Sequence, residues 1–152
     1  MTPSAVDIAN LLYLYAERLD AGDLPGVAEL FRHARIKTKE GAPTIGAEEL
    51  LALFSASVKR YACGTPRTKH VVTNPIIEID EATHRATARS NYTVLQSVDG
   101  LALQPIAAGR YHDAFERVDG VWRFSFRDYT LFDFAGDLSR HLNPIPNEPS
   151  AG

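Results

Sequence analysis

Residues 67–74 read Arg67-Thr68-Lys69-His70-Val71-Val72-Thr73-Asn74, and the chain changes character there. Upstream, apolar residues recur every three or four positions. Downstream they fall in runs rich in Val, Ile, Thr and aromatic residues, punctuated by Asp-Gly pairs. The stretch is itself rich in β-branched residues and reads as the first long strand, in which successive side chains take fixed, alternating directions. His70 therefore has a defined aim.

On the upstream side, Ser4 followed by Asp7 approaches a capping box and predicts a helix start. Val6, Ala9, Leu12 or Tyr13, Ala16 and Leu19 continue it as an apolar stripe, and Gly22 ends it. Asp23 is placed to cap a short second helix running to about Phe31, with Pro25 tolerated in its first turn. A short strand over 34–38 and the turn-rich segment 39–44 follow. Gly46 to about Tyr61 reads as a third helix, presenting Leu50, Leu53 or Phe54, Ser57 or Val58, and Tyr61 on one side.

Downstream, strands are expected over 69–79, interrupted by Pro75, and over 85–98, 101–118 and 121–132. Asp99-Gly100 and Asp119-Gly120 are two-residue hairpin signals. Pro75 marks a bend, a bulge or an edge position. Residues 136–142 read as one or two helical turns, and 143–152 as a flexible C-terminal tail. Helices first and hairpin-linked strands afterwards predict one α+β domain over residues 1–142. Its helices would pack on one face of an antiparallel sheet, which strong curvature would bend into a cone around a cavity.

Composition narrows the partners. With 152 residues, one domain and one core suffice. Sixteen basic against 19 acidic residues leave a net charge of -3, so there is no basic field for nucleic acid or an anionic membrane. The single cysteine, Cys63, excludes an internal disulfide and a multi-thiolate metal site. No His-Glu-x-x-His, Walker-type, Gly-x-Gly-x-x-Gly or Gly-x-Ser-x-Gly string occurs, so neither a metal nor any other cofactor is assigned. The N-terminus lacks the pattern of a signal peptide and no apolar run reaches a membrane span, so a cytoplasmic protein is expected.

Three residues carry the chemical reading. His70 offers a base near neutral pH, and Asp20, at the end of the first helix, offers a carboxylate to fix its tautomer. An acid there opposes the helix dipole, and a cation beside it would offset that cost. Arg127, on the last strand, offers a guanidinium for developing negative charge. Strict alternation would put Arg127 with Arg123, Ser125 and Tyr129, opposite Trp122, Phe124 and Phe126, unless a bulge reverses the parity. Tyr15 lies nearer the Asp20 end of its helix than Tyr13 does and is the better pocket candidate. His33, His84 and His141 are expected at the surface.

Three strings, Tyr15 to Leu24, Arg67 to Asn74, and Gly109 to Phe124 with its Asp-Gly-Val-Trp hairpin, together resemble the SnoaL-like branch of the nuclear transport factor 2-like superfamily. The resemblance implies a cone-shaped α+β barrel with a deep apolar pocket, in proteins that are often dimers or trimers. Within the superfamily the chain is most similar to scytalone dehydratase and hexachlorocyclohexane dehydrochlorinase. Asp20 and His70 fall where those enzymes carry their catalytic aspartate and histidine, and Arg127 matches an arginine of the dehydrochlorinase. Leu19 and Thr38 stand where scytalone dehydratase has two tyrosines, and Gln96 where it has a second histidine, so its substrate is not implied.

The resemblance thus implies a cofactor-independent lyase or isomerase acting on a small hydrophobic carbon acid. His70, Asp20 and Arg127 would be catalytic, and Tyr15, Leu19, Phe54, Val58, Gln96 and Tyr111 would line the pocket. Two alternatives remain open. One is a non-catalytic binding domain, like the small subunit of ring-hydroxylating dioxygenases. The other is a cyclase or ketosteroid-isomerase-like enzyme with Asp20 itself as base.

Overall fold

A computed structural model describes residues 2–143. The elements run α1 (Ser4–Asp20), α2 (Leu24–Leu30), β1 (Arg35–Lys37), α3 (Ala47–Ser57), β2 (Thr68–Asp80), β3 (Arg85–Val98), β4 (Leu101–Val118), β5 (Val121–Asp128) and β6 (Phe132–Ala135). Three helices pack against a curved, unclosed sheet of six strands, the α+β architecture expected. The expected tail, apart from Asn143, lies outside the described residues.

Helix α1 buries Ile8, Leu12, Tyr15, Ala16 and Leu19, a stripe at helical spacing. The cap is Pro3 rather than Ser4; its carbonyl accepts from the amides of Val6 and Asp7 at 3.0 and 3.1 Å. The C-terminal end of α1 is fixed by a close approach. Gly22 has φ +76°, and a Cβ there would lie 2.1 Å from the Gly64 carbonyl oxygen. Only glycine fits, so the end carrying Asp20 sits tightly against the turn that precedes β2. Asp23 caps α2 as expected, accepting from the Gly26 amide at 2.9 Å.

Helix α3 stops four residues short of its expected end. Val58 is extended and pairs with Leu142 in an isolated bridge. Residues 136–142 form no helix; they make a strap laid across this region. Lys59 donates to the Ser139 carbonyl, the Asn143 amide to Ser57, and both Gln96 and Tyr61 to the Arg140 carbonyl.

The strand order is β1-β5-β4-β3-β2, with β6 pairing β4 beyond the end of β5. The sheet is mixed rather than purely antiparallel, because β1 runs parallel to β5. No hairpin joins these two strands, so turn geometry does not set their direction. The expected final strand divides in two. Asp128 accepts the Thr130 amide and hydroxyl, both at 2.7 Å, which turns the chain before β6 resumes.

Pro75 satisfies two of its three readings: β2 is an edge strand, and its register with β3 shifts between Thr73 and Ile76. The other decisive irregularity is in β5. Ala114 faces Phe126 while Phe115 faces Phe124, so Ser125 is an extra residue. That bulge moves Arg127 onto the buried side with Trp122 and Phe124.

Candidate active site

Asp20 and His70 meet. Asp20 Oδ1 lies 2.6 Å from His70 Nδ1 and also accepts the Thr68 hydroxyl at 2.9 Å, while Oδ2 accepts the His70 backbone amide at 2.8 Å. Three donors converge on one carboxylate, two of them from the residue that carries the imidazole. A carboxylate only accepts, so the hydrogen bond places a ring proton on Nδ1, and in a neutral imidazole Nε2 then carries the lone pair. No described residue hydrogen-bonds to Nε2. The side chains are 5% and 12% exposed, so the pair is sheltered rather than solvated.

Arg127 is buried differently. It donates to Asp113 from Nε at 2.7 Å and from Nη2 at 3.0 Å, with both side chains fully inaccessible. Its guanidinium carbon lies 4.2 Å from the Tyr15 ring centroid and 3.9 Å from that of Tyr111, a cation held between aromatic faces. Burial pushes the Asp113 carboxyl up and Arg127 pulls it back. Burial works against the guanidinium, but Asp113, with Tyr129 and Tyr15 beside it, more than offsets this and holds it well above its usual range. The guanidinium stays charged. Its Nη1 is buried with no partner among the described residues.

Tyr15 stands between the two pairs. Its ring centroid is 6.5 Å from that of His70, and its hydroxyl accepts from Tyr129 at 2.9 Å. Burial raises the pKa of Tyr15, Tyr111 and Tyr129, so these phenols remain protonated. Of the remaining expected pocket residues, Leu19, Val58, Gln96 and Tyr111 are also buried, and Phe54 is half-buried against Tyr129. They form a packed interior wall. The clefts that touch the dyad lie to its sides. One, of about 740 Å³, runs between α1 and β2; another, of about 350 Å³, is bounded by Thr65 to Lys69 and Gln96.

Four participants escape a reading of residue patterns. Thr68 could have been found from its spacing of two from His70 along the strand. Asp113 and Tyr129 depend on the β5 bulge, which no residue pattern announced. His141, expected at the surface, is only 7% exposed, with its ring 5.9 Å from that of His70. Burial first and the nearby His70 second lower its pKa to about 4, against the pull of Asp20, so it is neutral at pH 7. His33 and His84 are exposed as expected. Among the described residues no three His, Cys, Asp or Glu side chains are grouped to hold a metal ion, and no helix is long and apolar enough to cross a membrane.

A curved mixed sheet wrapped by three helices is the cystatin-like fold, the fold of solved nuclear transport factor 2-like proteins. Within that class the chain belongs to the SnoaL-like domain family, whose model matches residues 2–128. No curated protein matches the sequence. Among solved structures it is similar to a Mycobacterium tuberculosis protein of unknown function (21% identity, TM-score 0.67, covering 97% of this chain and 76% of that one). It is also similar to a candidate scytalone dehydratase from Novosphingobium aromaticivorans (20%, 0.63, 95% of each chain). A third is the beta subunit of a candidate aromatic-ring-hydroxylating dioxygenase from the same organism (20%, 0.65, 86% and 90%).

Proposed function

We propose that this protein is a cofactor-independent lyase or isomerase that removes a proton from a small hydrophobic carbon acid. The observation that supports it most is the 2.6 Å contact between Asp20 Oδ1 and His70 Nδ1, which leaves Nε2 unengaged among the described residues. In this reading Nε2 takes the proton, and Asp20 keeps the ring oriented and stabilises the imidazolium. Arg127 acts across the Tyr15 ring as a fixed positive charge, lowering the energy of the enolate or departing group in a low-dielectric interior. Asp20 as the base is less favoured, because its oxygens already accept three hydrogen bonds.

Hydrogen–deuterium exchange at the carbons beside the carbonyl of 4-phenylbutan-2-one, a generic hydrophobic carbon acid, tests this whatever the natural substrate. Wild-type protein should catalyse exchange and His70→Ala should not. Equal exchange by the two would remove the base assignment.

The packed interior favours a second reading, a non-catalytic binding or partner domain. Tyr15, Leu19 and Tyr111 each keep 3% or less of their surface accessible and line neither of the clefts beside the dyad. That reading expects copurification with a large partner and no dependence on His70. An assembly of two or three copies belongs to the first reading, and solution mass measurement distinguishes it from a monomer.

A further inference from the structure

The two clefts that touch the dyad are continuous. Both are lined by Asp20, Lys69 and Leu95, so they meet where the carboxylate of the pair reaches β2. Lys69 and Leu95 are register partners, on the strand face opposite Thr68 and His70. From that junction the larger cleft runs past His70, Val71 and Val72 toward Tyr13, and the smaller one past Thr68 to Arg67, Ser97 and Leu103. Tyr13, Val71 and Leu103 are 46%, 40% and 67% exposed, so the groove offers open apolar surface on both sides of the junction.

Charge divides this groove. Arg67 lines only its smaller part and Glu17 only its larger part, with Lys69 between them. Neither cation is ion-paired with a described carboxylate. Arg67 is also held in an unusual way. Its φ of +60° lies in the left-handed region, which a residue other than glycine adopts only at a cost. Its amide donates to Thr65 Oγ1 at 3.2 Å, its carbonyl accepts the Ser97 amide at 3.3 Å, and its Nε donates to the Ser97 carbonyl at 3.0 Å. These bonds anchor the guanidinium by one nitrogen and leave both Nη groups without a described partner. An exposed lysine alone would simply be solvated, but an anchored arginine beside it, with its fork unengaged, makes a preformed anion site.

The neighbouring charges select the anion. Asp20 lines the same groove, so a singly charged carboxylate is repelled less than a doubly charged phosphate. Glu17 repels an anion from the far end and directs it toward Arg67. We propose that Arg67 and Lys69 bind a carboxylate of the substrate, so that the carbon acid is a keto carboxylate whose apolar end lies over Leu95 and Val71 toward Tyr13. The place of its reacting carbon rests on the base assignment above.

The spacing suits such a molecule. His70 lies three residues along β2 from Arg67, about 10 Å in an extended strand. Lys69 stands between them, so a carbonyl a few methylenes from the carboxylate falls beside the dyad. A charged group gripped away from the reacting carbon orients that carbon against the base, which is how binding energy remote from the chemistry raises its rate.

The test is calorimetric binding of three probes: 5-oxo-7-phenylheptanoate, its uncharged methyl ester, and 4-phenylbutan-2-one. The keto acid should bind wild-type protein at least about tenfold more tightly than either neutral probe. That advantage should shrink as salt is raised. Arg67→Asn, whose side chain tolerates a left-handed backbone, should remove most of the preference. Lys69→Glu, at an exposed strand position, should erase it. Both variants should still bind the ester as wild type does. Equal binding of acid and ester by wild-type protein, or no saturable binding of the acid, would overturn the proposal. So would an undiminished preference in Lys69→Glu. Deuterium exchange into 4-phenylbutan-2-one, which carries no anion, reports on the base instead. Exchange without the acid preference fails the anion site and spares His70, and the preference without exchange does the reverse.

Discussion

Two carboxylate pairs, one with a guanidinium and one with an imidazole, lie on either side of Tyr15, and they are built differently. Asp113 and Arg127 are fully inaccessible, joined by two hydrogen bonds, and Arg127 is held between the Tyr15 and Tyr111 rings. That charge is permanent. Asp20 and His70 share one side-chain contact, retain slight exposure, and leave one ring nitrogen unengaged by any described residue. A guanidinium gives up no proton in a protein, whereas an imidazole gains and loses one near neutrality. In the proposed chemistry the same type of contact would therefore provide a fixed field in one place and a proton carrier in the other.

The largest expected effect tests that division. His70→Ala should lower deuterium exchange into 4-phenylbutan-2-one by roughly 10²- to 10⁴-fold, the usual worth of a positioned general base. Its circular dichroism spectrum should match the wild type, because the Nε2 side of the ring supports no other described residue. If instead the variant unfolded, both pairs would be structural and the contrast would disappear.

Next in size is the other pair. Asp113→Ala leaves a buried guanidinium uncompensated and should cost about 3–5 kcal/mol in urea unfolding. Replacing both partners with apolar residues, Asp113→Leu with Arg127→Met, should recover most of that stability, since removing an entire buried pair is often nearly neutral. The double variant should nevertheless exchange deuterium more slowly than wild type, because the fixed positive charge is gone. Full activity in a stable double variant would confine Arg127 to a packing role.

The difference between the pairs also marks how far residue patterns reach. His70 lies in a strand whose β-branched neighbours define its direction, and Asp20 is one step beyond the last apolar residue of the stripe that includes Leu19. Local periodicity gave each side chain a direction, but it was the family resemblance that implied their pairing. The side that Arg127 takes was not legible, since a single inserted residue, Ser125, reverses its side of the strand, and pairing with β4 decides where that residue goes. His141 was hidden for a related reason. Its burial comes from a strap anchored by contacts far along the chain, at Lys59, Tyr61 and Gln96, rather than from a helix of its own.

The histidine in the strap gives an effect of intermediate size. Its pKa near 4 lies below the ordinary 6.5, so between those values the unfolded chain binds more protons than the folded one. This contribution to stability is complete above about pH 6.5 and is lost as pH falls toward 4, by roughly 3 kcal/mol in all. His70 repels the added charge and Asp20 attracts it, so the slope reports on the dyad as well as on burial. Thermal melts from pH 7.5 to 4.5 should show the decline, and His141→Asn should flatten it. An unchanged slope in that variant would place the titration elsewhere.

The smallest effect probes how the dyad is held. Asp113 is bound through one partner residue, but Asp20 accepts from Thr68 as well as from the ring and backbone of His70. Thr68→Val removes one of three donors while keeping a branched side chain in the buried position. The loss should be about 1 kcal/mol of stability, the net value of an ordinary hydrogen bond. Exchange should slow by less than about tenfold, because two contacts still orient the imidazole and its tautomer is unchanged. Thr68 acts only through Asp20, so the lesion should lower the rate constant at saturation and leave probe affinity alone. A loss as deep as that of His70→Ala would mean that the carboxylate depends on the hydroxyl, and that the dyad is as brittle as the sealed pair beside it.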